Sequence, residues 1–448
     1  MPEEVDLLVV DAAEVVTAAA DLRVAGVADV AAAWGIRTGP RGASARPLCG
    51  PALGDPGVVP RGSVALRAGR VVAVDDEAAV LARYAPRRRL SARGGTVVPG
   101  FCDAHTHPVF AATREAEADL RARGQSYVEI AAAGGGIFSS VRALRAASRA
   151  ELAARLHEHL DRLLRAGTTS LEAKSGYGLS PEHERLSLEL LAEAHLRHPV
   201  DIDATCLAAH QVPPEFAADR AAYVRLVTER ILPDAAAAGL ARSADVFCDV
   251  GAFSVDEARA VLAGARAAGL QLRVHADEIG PVGAAELAGE LCAQTADHLV
   301  HVSDAGIAAL LRGGTAPVLL PGTCLSLRSQ RVAPARRMIE AGLPVVVATD
   351  FNPGTSYLPS LPAAIGLAVA LLGLTVAEAL QAATRNAAAT LGLPGPRGLL
   401  HPGAVGDLVI LDVPSHLFLG YESGRDPVAA VVKDGSVVYE RVTGVVRP

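Results

Sequence analysis

The chain alternates between two kinds of segment from Val97 to about Leu393, and this alternation limits the folds open to it. Short apolar, β-prone runs are followed by a loop and then by a stretch whose apolar residues recur with helical spacing. Such alternation is typical of a (β/α)8 barrel or a doubly wound sheet. No Gly-x-Gly-x-x-Gly motif follows a strand, which counts against a dinucleotide-binding sheet. We therefore expect an α/β fold with a (β/α)8 barrel as its main body.

Capping residues mark several of the expected helix starts. Ser148 precedes Glu151 by three positions, and Ser254 precedes Glu257 in the same way, so each pair predicts a capping box. Ser180-Pro181 combines a cap residue with a proline at the first helical position. These features support helices between the strands.

Both ends of the chain have the pattern of short strands. Residues 5–95 lack helical periodicity, and their apolar runs are separated by Gly, Pro and charged turns. The strand pattern returns after residue 395, where Asp434-Gly435 lies between two alternating runs and predicts a tight hairpin. The simplest arrangement has two domains: a composite β-sandwich made of residues 1–96 and 396–448, and a TIM-like (β/α)8 barrel, the catalytic domain, made of residues 97–395.

The composition argues against several classes of function. The 448-residue chain is 50% hydrophobic and has a net charge of −7 without a block of like charge, which disfavours nucleic acid and anionic membranes as partners. Six scattered cysteines without a C-x-x-C pair are typical of thiols in a reducing compartment. The longest apolar run, Ala363 to Leu374, is shorter than the roughly 20 residues of a membrane span and predicts a buried helix. We expect a cytoplasmic protein, with a surface loop in the Pro-, Gly- and Ala-rich stretch 37–61.

Metal-type ligands follow four of the apolar runs. His105 and His107 are two positions apart, and residues i and i+2 of an extended chain face the same side. His275, His298 and Asp350 each follow a run of their own. In a barrel, the C-terminal ends of the strands meet at one mouth. The two histidines of the first run, a later histidine and Asp350 therefore predict a site for one divalent metal ion per chain, Zn²⁺ or Fe²⁺, that activates water.

Two further residues suit the chemistry of such a site. Glu278 lies three residues beyond His275 and is placed to accept a proton from the activated water. His298 is placed to polarise a substrate carbonyl. Each has an ordinary structural alternative, a helix-start carboxylate for Glu278 and a hydrogen-bonded core histidine for His298. Four other histidines fall on predicted helix faces and are expected at the surface: His157, His159, His183 and His195.

The predicted ligands lie within motifs of the form P-G-x-x-D-x-H-T-H, H-A-D-E, A-D-H-L and T-D-F-N-P-G. Together these motifs resemble the amidohydrolase superfamily. Segments outside the ligand set resemble, within it, the imidazolonepropionase family: Arg114-Glu115, Ala133–Ile137, Lys174–Leu179, Ala208–His210, Asp245–Asp249 and Phe253–Val255. The similarity covers residues 97 to about 395, whereas residues 1–95 match the family poorly.

The resemblance implies a particular reaction. Enzymes of that family add water across the ring amide of 4-imidazolone-5-propanoate to give N-formimidoyl-L-glutamate, a step of histidine degradation. Carried over residue by residue, the metal ligands would be His105, His107, His275 and Asp350. Glu278 would hold or deprotonate the water, and His298 would stabilise the developing oxyanion. Asp350 would also help to pass a proton to the leaving nitrogen.

The same resemblance implies a substrate pocket. Arg114 would bind the propionate carboxylate bidentately, and Tyr177 would add a hydroxyl group. The remaining positions that match substrate or product contacts are His210, Glu278, Asn352, Gly354 and Thr355. Lys174 lies in a segment typical of the one-metal enzymes, so we do not expect it to be carboxylated. The family tendency is a homodimer.

A deaminase of a cyclic amidine, with a purine- or pyrimidine-like substrate, is the main alternative. Such enzymes share H-x-H, H-x-x-E, a later His and a later Asp, so the ligand set does not separate the two functions. Arg114, Tyr177 and His210 favour a carboxylate-bearing imidazolone instead. Two further alternatives are a non-catalytic scaffold and a sugar- or nucleotide-binding barrel without a metal; both predict missing ligands, and none is missing from the sequence.

Overall fold

The computed structural model describes residues 2–22, 46–125, 129–130, 133–422 and 424–441. Its strands, numbered along the chain, are β1 (Glu3–Val10), β2 (Glu14–Val16), β3 (Val58–Pro60), β4 (Gly62–Arg67), β5 (Arg70–Asp76), β6 (Tyr84–Ser91), β7 (Thr96–Pro99), β8 (Phe101–Thr106), β9 (Thr168–Lys174), β10 (Asp201–Ala209), β11 (Ser243–Cys248), β12 (Gln271–Ala276), β13 (Thr295–His298), β14 (Ala316–Leu319), β15 (Val346–Val347), β16 (Leu408–Leu411), β17 (Val428–Lys433) and β18 (Ser436–Glu440).

The α-helices are α1 (Glu77–Arg83), α2 (Glu115–Ala122), α3 (Ile137–Ala146), α4 (Arg149–Arg165), α5 (Pro181–Arg197), α6 (Arg220–Leu226), α7 (Leu232–Ala237), α8 (Val255–Ala267), α9 (Ala284–Glu290), α10 (Asp304–Gly313), α11 (Pro321–Ser326), α12 (Ala335–Glu340), α13 (Leu361–Leu372), α14 (Val376–Ala382) and α15 (Arg385–Thr390). Short 3-10 helices lie at Ala20–Leu22, Gly50–Gly54, Pro214–Phe216 and His416–Gly420, and a π-helical turn at Val227–Ile231 joins α6 to α7.

Strands β8 to β15 form the barrel. These eight strands lie side by side in chain order, and each pairs with the next in parallel. The circle closes where β8 meets the chain beyond β15. There the Asp350 amide donates to the His105 carbonyl at 3.0 Å, and the His107 amide donates to the Phe351 carbonyl at 2.8 Å. The predicted (β/α)8 barrel is confirmed.

A buried carboxylate reinforces this closure. Asp103, on β8, accepts hydrogen bonds from the Thr349 amide at 3.1 Å and from its hydroxyl at 2.6 Å. Burial raises the pKa of Asp103 to about 7. This acid of the P-G-x-x-D-x-H-T-H motif therefore joins the first barrel strand to the segment that carries Asp350.

The apolar run that ends in His105 and His107 forms two strands rather than one. Its first part, β7, pairs with β16 and β2 in the small domain, and its second part, β8, begins the barrel. Gly100 separates them, and a Cβ atom there would lie 2.4 Å from the Thr169 hydroxyl oxygen. Glycine is therefore required at this crossing between domains, and the barrel begins at Phe101.

Both ends of the chain build the small domain. One sheet has the order β5-β4-β1-β6, and the other has the order β18-β17-β16-β7-β2-β3. Leu7 and Val64 of the first sheet share a buried core with Val97 and Ile410 of the second. The composite β-sandwich expected from the two ends of the sequence is confirmed.

The second sheet is apolar on both of its faces. Along β16, Leu408 and Ile410 belong to the sandwich core, whereas Val409 and Leu411 belong to the barrel core. Successive residues of a strand point to opposite sides, so this sheet packs on the first sheet with one face and on the barrel with the other. The small domain is thereby fixed to the barrel by buried apolar surface.

Most local expectations hold in the structure. Both predicted capping boxes form, at the starts of α4 and α8, and the Ser180 hydroxyl caps α5. The predicted hairpin joins β17 to β18, with φ of 48° at Asp434 and 73° at Gly435. Positive φ at both central residues is typical of a type I′ turn.

One surface prediction is wrong. His159 is only 3% exposed, because α4 turns it toward the loop after His107. Its Nδ1 atom lies 2.8 Å from the Pro108 carbonyl oxygen, and its ring stacks on Phe110 at 4.0 Å. This histidine packs beneath the loop and is not a surface residue.

The long apolar run forms α13, in which Ala364, Ile365 and Ala368 are buried. No helix in the described parts of the chain is long and apolar enough to cross a membrane. In the expected surface loop 37–61, residues 37–45 lie outside the described residues. The rest includes Leu48 and Leu53, which are buried in the barrel core, so the expectation of an all-surface loop is wrong there.

Candidate active site

Strand ends bring the predicted ligands to one mouth of the barrel. His105 lies near the end of β8 and His107 follows it, while His275 lies near the end of β12. His298 ends β13, and Asp350 follows β15. All five are buried, with at most 4% of each residue exposed. The ring centroid of His105 lies 5.1 Å from that of His107, 4.6 Å from that of His275 and 5.5 Å from that of His298.

The donor atoms of this cluster have the spacing of a metal shell. The Nε2 atoms of His105 and His107 are 3.1 Å apart, and Asp350 Oδ1 lies 3.5 Å from each of them. Ring nitrogens of His105, His107 and His275 all lie within 4.8 Å of one another. Ligands about 2.0–2.1 Å from a tetrahedral zinc ion are about 3.3 Å apart. The donors of His105, His107 and Asp350 therefore fit a divalent cation in chemistry and spacing, and His275 offers a further nitrogen within 4.8 Å of those of His105 and His107.

Burial keeps most of these imidazoles neutral. It lowers the pKa of His105, His107 and His298 well below the usual value for histidine. Burial also acts on His275, but the adjacent Asp245 carboxylate outweighs it and raises the pKa of that ring. A neutral imidazole has the lone pair that metal binding requires.

Glu278 lies at the edge of the histidine cluster. Its Oε1 atom is 3.7 Å from His298 Nδ1. Burial, and then the nearby charge of Asp350, raises the pKa of Glu278 to about 8. A carboxyl group with such a pKa can both accept and release a proton near neutral pH.

A neighbouring acid holds the loop that carries Glu278. The Asp249 carboxylate accepts the amides of Glu278 at 2.6 Å, Ile279 at 2.9 Å and Gly280 at 3.0 Å. Three successive amides are thus bound to one side chain at the end of β11. Asp249 consequently fixes the position from which Glu278 enters the cluster.

Several site residues have a strained backbone. Asp277, His298 and Asp350 have φ of 51°, 73° and 53°, in a region of backbone conformation that residues other than glycine rarely adopt. Such conformations cost about 1–3 kcal/mol each and persist where surrounding contacts enforce them. At Asp277 these contacts include the amides of Val282 and Gly283, both donating to its Oδ1 at 3.0 Å.

Tyr177 and His210 form a wall beside the cluster. The rings of His107 and His210 stack with centroids 5.3 Å apart, and Tyr177 lies 5.5 Å from His210. His210 Nδ1 is 3.0 Å from the Gly176 carbonyl oxygen, so its proton lies on Nδ1. Burial lowers the pKa of His210 to about 3, and its Nε2 is therefore an acceptor.

The segment after Asp350 folds into a tight turn around Asn352. The Asn352 Oδ1 atom accepts the amides of Gly354 and Thr355, each at 2.8 Å, and its Nδ2 donates to the Asp350 carbonyl at 2.7 Å. An asparagine that binds the backbone ahead of it stabilises such a turn. The turn connects the cluster to the residues around Arg114.

Arg114 lies against this turn. A Cβ atom on Gly354 would be only 2.3 Å from the Arg114 Cζ atom, so the guanidinium occupies the space that a side chain would fill. Glu117 binds the guanidinium bidentately, at 3.0 Å from Nε and 2.8 Å from Nη2. Arg121 adds a second cation, whose Nη2 donates to the Gly354 carbonyl at 3.1 Å. Two guanidiniums therefore lie beside the turn around Asn352.

A model of the amidohydrolase family matches residues 96–446. An imidazolonepropionase of Geobacillus kaustophilus is 46% identical over 401 residues, which is 89% of this chain and 94% of the relative. An imidazolonepropionase of Symbiobacterium thermophilum is 45% identical over 440 residues, which is 97% of this chain and 98% of the relative.

The chain belongs to the imidazolonepropionase family.

The second alignment reaches into the small domain. Because it takes in 97% of the chain, it includes most of residues 1–95. The small domain is therefore shared with relatives of this family.

Solved structures with the same fold include deaminases. An adenosine deaminase from Xanthomonas campestris with bound zinc has a TM-score of 0.67 at 20% identity and covers 98% of this chain and 93% of its own. A 5-methylcytosine deaminase from Klebsiella pneumoniae has a TM-score of 0.67 at 17% identity and covers 86% of this chain and 96% of its own. At these identities the likeness shows the fold alone. The amidohydrolase superfamily is metal-dependent, and the His-rich cluster is consistent with that.

The predicted residues of the imidazolonepropionase site fall into two groups. One contains the candidate metal and acid–base residues with Tyr177 and His210, and the other contains Arg114 and the turn from Asn352 to Thr355. The backbone segment from Asp350 to Thr355 joins the groups. The roles of these residues remain predictions.

Sequence reasoning missed the residues that hold the site residues in place. Glu117 and Arg121 follow Arg114 at three and seven positions on α2, a helical spacing that could have suggested them. Asp297 is adjacent to His298 in sequence but binds His105, 192 positions away. Only the fold brings that pair together.

Proposed function

We propose that this chain hydrolyses the ring amide C–N bond of 4-imidazolone-5-propanoate to N-formimidoyl-L-glutamate, as the names of its relatives suggest. One structural observation carries the proposal: the Arg114 guanidinium lies over Gly354, four residues after Asp350. A guanidinium close to a cluster of histidines and acids suits a substrate with its own carboxylate.

We also propose one divalent ion per chain, Zn²⁺ or Fe²⁺. Its ligands would be His105, His107, His275 and Asp350. The 3.1–3.5 Å spacing of three of their donor atoms supports this assignment. When bound, the ion would supply a Lewis acid that lowers the pKa of water to about 7.

Glu278 takes the proton of the attacking water in this mechanism. Its pKa of about 8 suits proton exchange near neutral pH. Because Asp249 binds three amides of its loop, the carboxylate is held within reach of His298. A carboxylate held in one position loses less conformational entropy when the reaction occurs.

His298 stabilises the carbonyl oxygen that gains negative charge during the attack. Its neutral ring keeps one N–H donor for that oxygen. The ring C–N bond then breaks, and Asp350 helps to pass the water proton to the leaving nitrogen. One water is consumed, its oxygen stays on carbon, and all of the nitrogen stays in the product.

The remaining residues bind and orient the substrate. Arg114 binds the propionate carboxylate, and Tyr177 donates its hydroxyl group. The other substrate or product contacts are His210, Glu278, Asn352, Gly354 and Thr355. The position of Arg114 and Arg121 beside the Asn352 turn supports this use of the pocket.

Nitrogen balance separates this function from deamination. Purified protein is incubated with freshly generated 4-imidazolone-5-propanoate, and ammonia and N-formimidoyl-L-glutamate are measured together. We expect the glutamate derivative without ammonia. Ammonia release from cyclic amidines, with the imidazolone untouched, would support a deaminase and overturn the proposal.

We propose that the protein acts in the cytoplasm as a homodimer and binds neither nucleic acid nor membrane. Its net charge of −7 and the absence of a basic block support the last part. Sedimentation of the purified protein measures the dimer, and a monomer at micromolar concentration would contradict it.

A further inference from the structure

A buried ion cluster lies directly behind the histidines of the candidate site. Lys174, at the end of β9, is 1% exposed, and its Nζ atom lies 2.8 Å from Glu172 Oε1 and 2.7 Å from Asp245 Oδ2. Asp297 Oδ2 lies 3.6 Å from the same ammonium. Arg273 supplies a second buried cation, 3.8 Å from Glu172. Charges on β9, β11, β12 and β13 therefore meet in the barrel interior.

Two of these carboxylates contact histidines of the proposed metal centre. Asp297 Oδ2 is 2.6 Å from His105 Nδ1. Asp245 Oδ2 is 3.0 Å from His275 Nδ1, and its Oδ1 accepts the His275 amide at 3.2 Å. The hydrogen bond to Asp297 holds the ring proton of His105 on Nδ1 and leaves the lone pair of its Nε2 for a cation. In His105, Nε2 is the atom that faces His107 and Asp350.

Lys174 is the group shared by the two carboxylates. Asp245 Oδ2 is in contact with both Lys174 Nζ and His275 Nδ1, and Asp297 Oδ2 is near both Lys174 Nζ and His105 Nδ1. Two buried carboxylates without a cation between them repel each other and pay a desolvation penalty. The ammonium therefore keeps both acids turned toward their histidines.

We propose that Lys174, acting through Asp245 and Asp297, sets the orientation of the His275 and His105 rings and thereby the affinity of the site for a divalent cation. This inference rests on the metal centre of the proposed function. Lys174 is a positioning residue that contacts neither the ion nor the substrate. It stays an unmodified ammonium, because a carbamate would add a negative charge beside three carboxylates.

Metal affinity of the full-length protein tests the proposal without an activity assay. The purified protein is stripped with a chelator and titrated with Zn²⁺ in competition with a chromophoric chelator. It is also loaded with Co²⁺, whose visible absorption reports ligand geometry. We expect Lys174→Met and Asp297→Asn each to weaken Zn²⁺ binding about 10- to 100-fold and to change the Co²⁺ spectrum.

Asp203→Asn is the matched control. Asp203 is a buried carboxylate on β10 that pairs with Arg242 at 3.0 Å, accepts the Gly392 amide at 2.9 Å and lies 3.7 Å from Arg273. Its loss is expected to lower thermal stability and to leave Zn²⁺ affinity unchanged. A general softening of the barrel would instead weaken Zn²⁺ binding in this variant as well.

The outcomes separate this inference from the proposed function. If the wild type binds one ion and either folded Lys174→Met or folded Asp297→Asn binds it equally well with the same Co²⁺ spectrum, the inference is overturned and the metal centre stands. If the wild type binds no ion, the metal centre fails and the inference fails with it. If Lys174→Met does not fold, Asp297→Asn alone decides.

Discussion

Individual side chains at the mouth of the barrel owe their protonation to burial. It raises the pKa of Glu278 to about 8 and that of Asp350 to about 6, and it lowers that of His210 to about 3. The candidate metal ligands and His298 could be predicted from sequence because they follow apolar runs, whereas the substrate contacts were implied by the family resemblance. The residues that bind these side chains could not be predicted. Asp297 and His105, for example, are 192 positions apart and lie in different motifs.

Replacing Glu278 tests its role as proton acceptor. Glu278→Gln should lower kcat on the order of 10²- to 10⁴-fold, because the amide cannot take the proton of the water. Metal content should stay at the wild-type level, since Glu278 is outside the proposed ligand set. Glu158→Gln, an exposed change on α4, is the matched control. Wild-type turnover in the Glu278 variant would remove this residue from the mechanism.

Asp350→Asn combines the loss of a proposed ligand with the loss of a proton carrier. We expect it to lose both bound metal and turnover, as measured by elemental analysis and by the imidazolone assay. The substitution keeps the size of the side chain, and the Thr323 hydroxyl can still donate to its oxygen. Full activity in this variant would show that the ligand assignment is wrong.

At the scale of elements, short turns hold the chemistry in place. The Asn352 turn supports Arg114, and Asp249 holds the loop of Glu278. The sequence located these segments but not their contacts, because side chains that bind loops leave no periodic pattern. The sequence analysis also treated β7 and β8 as one strand. A continuous apolar run does not show that the chain crosses from the small domain to the barrel at Gly100.

Removing the Arg114 guanidinium from beside the Asn352 turn should affect substrate binding more than turnover. Arg114→Ala loses a charge-assisted contact of about 1.5–3 kcal/mol, which raises KM about 10- to 150-fold. Steady-state kinetics on the imidazolone measure the change. An unchanged KM would exclude Arg114 from the pocket.

Gly354→Ala should also weaken substrate binding, because the added methyl group would clash with the Arg114 guanidinium. Its φ is not positive, so alanine fits the backbone, but the new Cβ atom displaces the Arg114 guanidinium. We expect a higher KM in Gly354→Ala and little further change when it is added to Arg114→Ala, because both act on one contact. Gly54→Ala, which meets open space, is the matched control. Additive effects in the double variant would contradict this coupling.

At the scale of the whole molecule, the two ends of the chain meet on one side of the barrel. Glu14, next to the start of the chain, accepts the amide of His416, 402 positions later, and binds its ring nitrogen at 2.8 Å. The sequence predicted that the ends would join, because both have the strand pattern. It could not predict this contact, which depends on how the second sheet packs on the barrel.

The contact between Glu14 and His416 should make stability depend on pH. Burial tends to raise the pKa of Glu14, but the hydrogen bonds from His416 outweigh it and lower that pKa below 4.5. A carboxyl group whose pKa is lower in the folded state than in the unfolded state stabilises the fold. This contribution is fully present above the unfolded-state pKa and is lost as the pH falls through the folded-state pKa. Glu14→Gln should therefore destabilise by about 1–2 kcal/mol at pH 7 and by less near pH 3.

Thermal midpoints of wild type and variant, compared across this pH range, measure that effect. Glu158→Gln, an exposed change in the middle of α4, is the matched control and should follow the wild type. A Glu14 variant whose deficit is the same at both pH values would show that the charge of Glu14 does not stabilise the junction of the chain ends.

The central claim is that a metal centre at the mouth of this barrel opens an imidazolone ring. The most direct measurement follows the ring absorbance of freshly generated 4-imidazolone-5-propanoate with stripped protein, and again after one equivalent of Zn²⁺ or Fe²⁺ is restored. The account predicts no loss of absorbance with the stripped protein and rapid loss after restoration. Equal rates in both samples, or no loss in either, would contradict it.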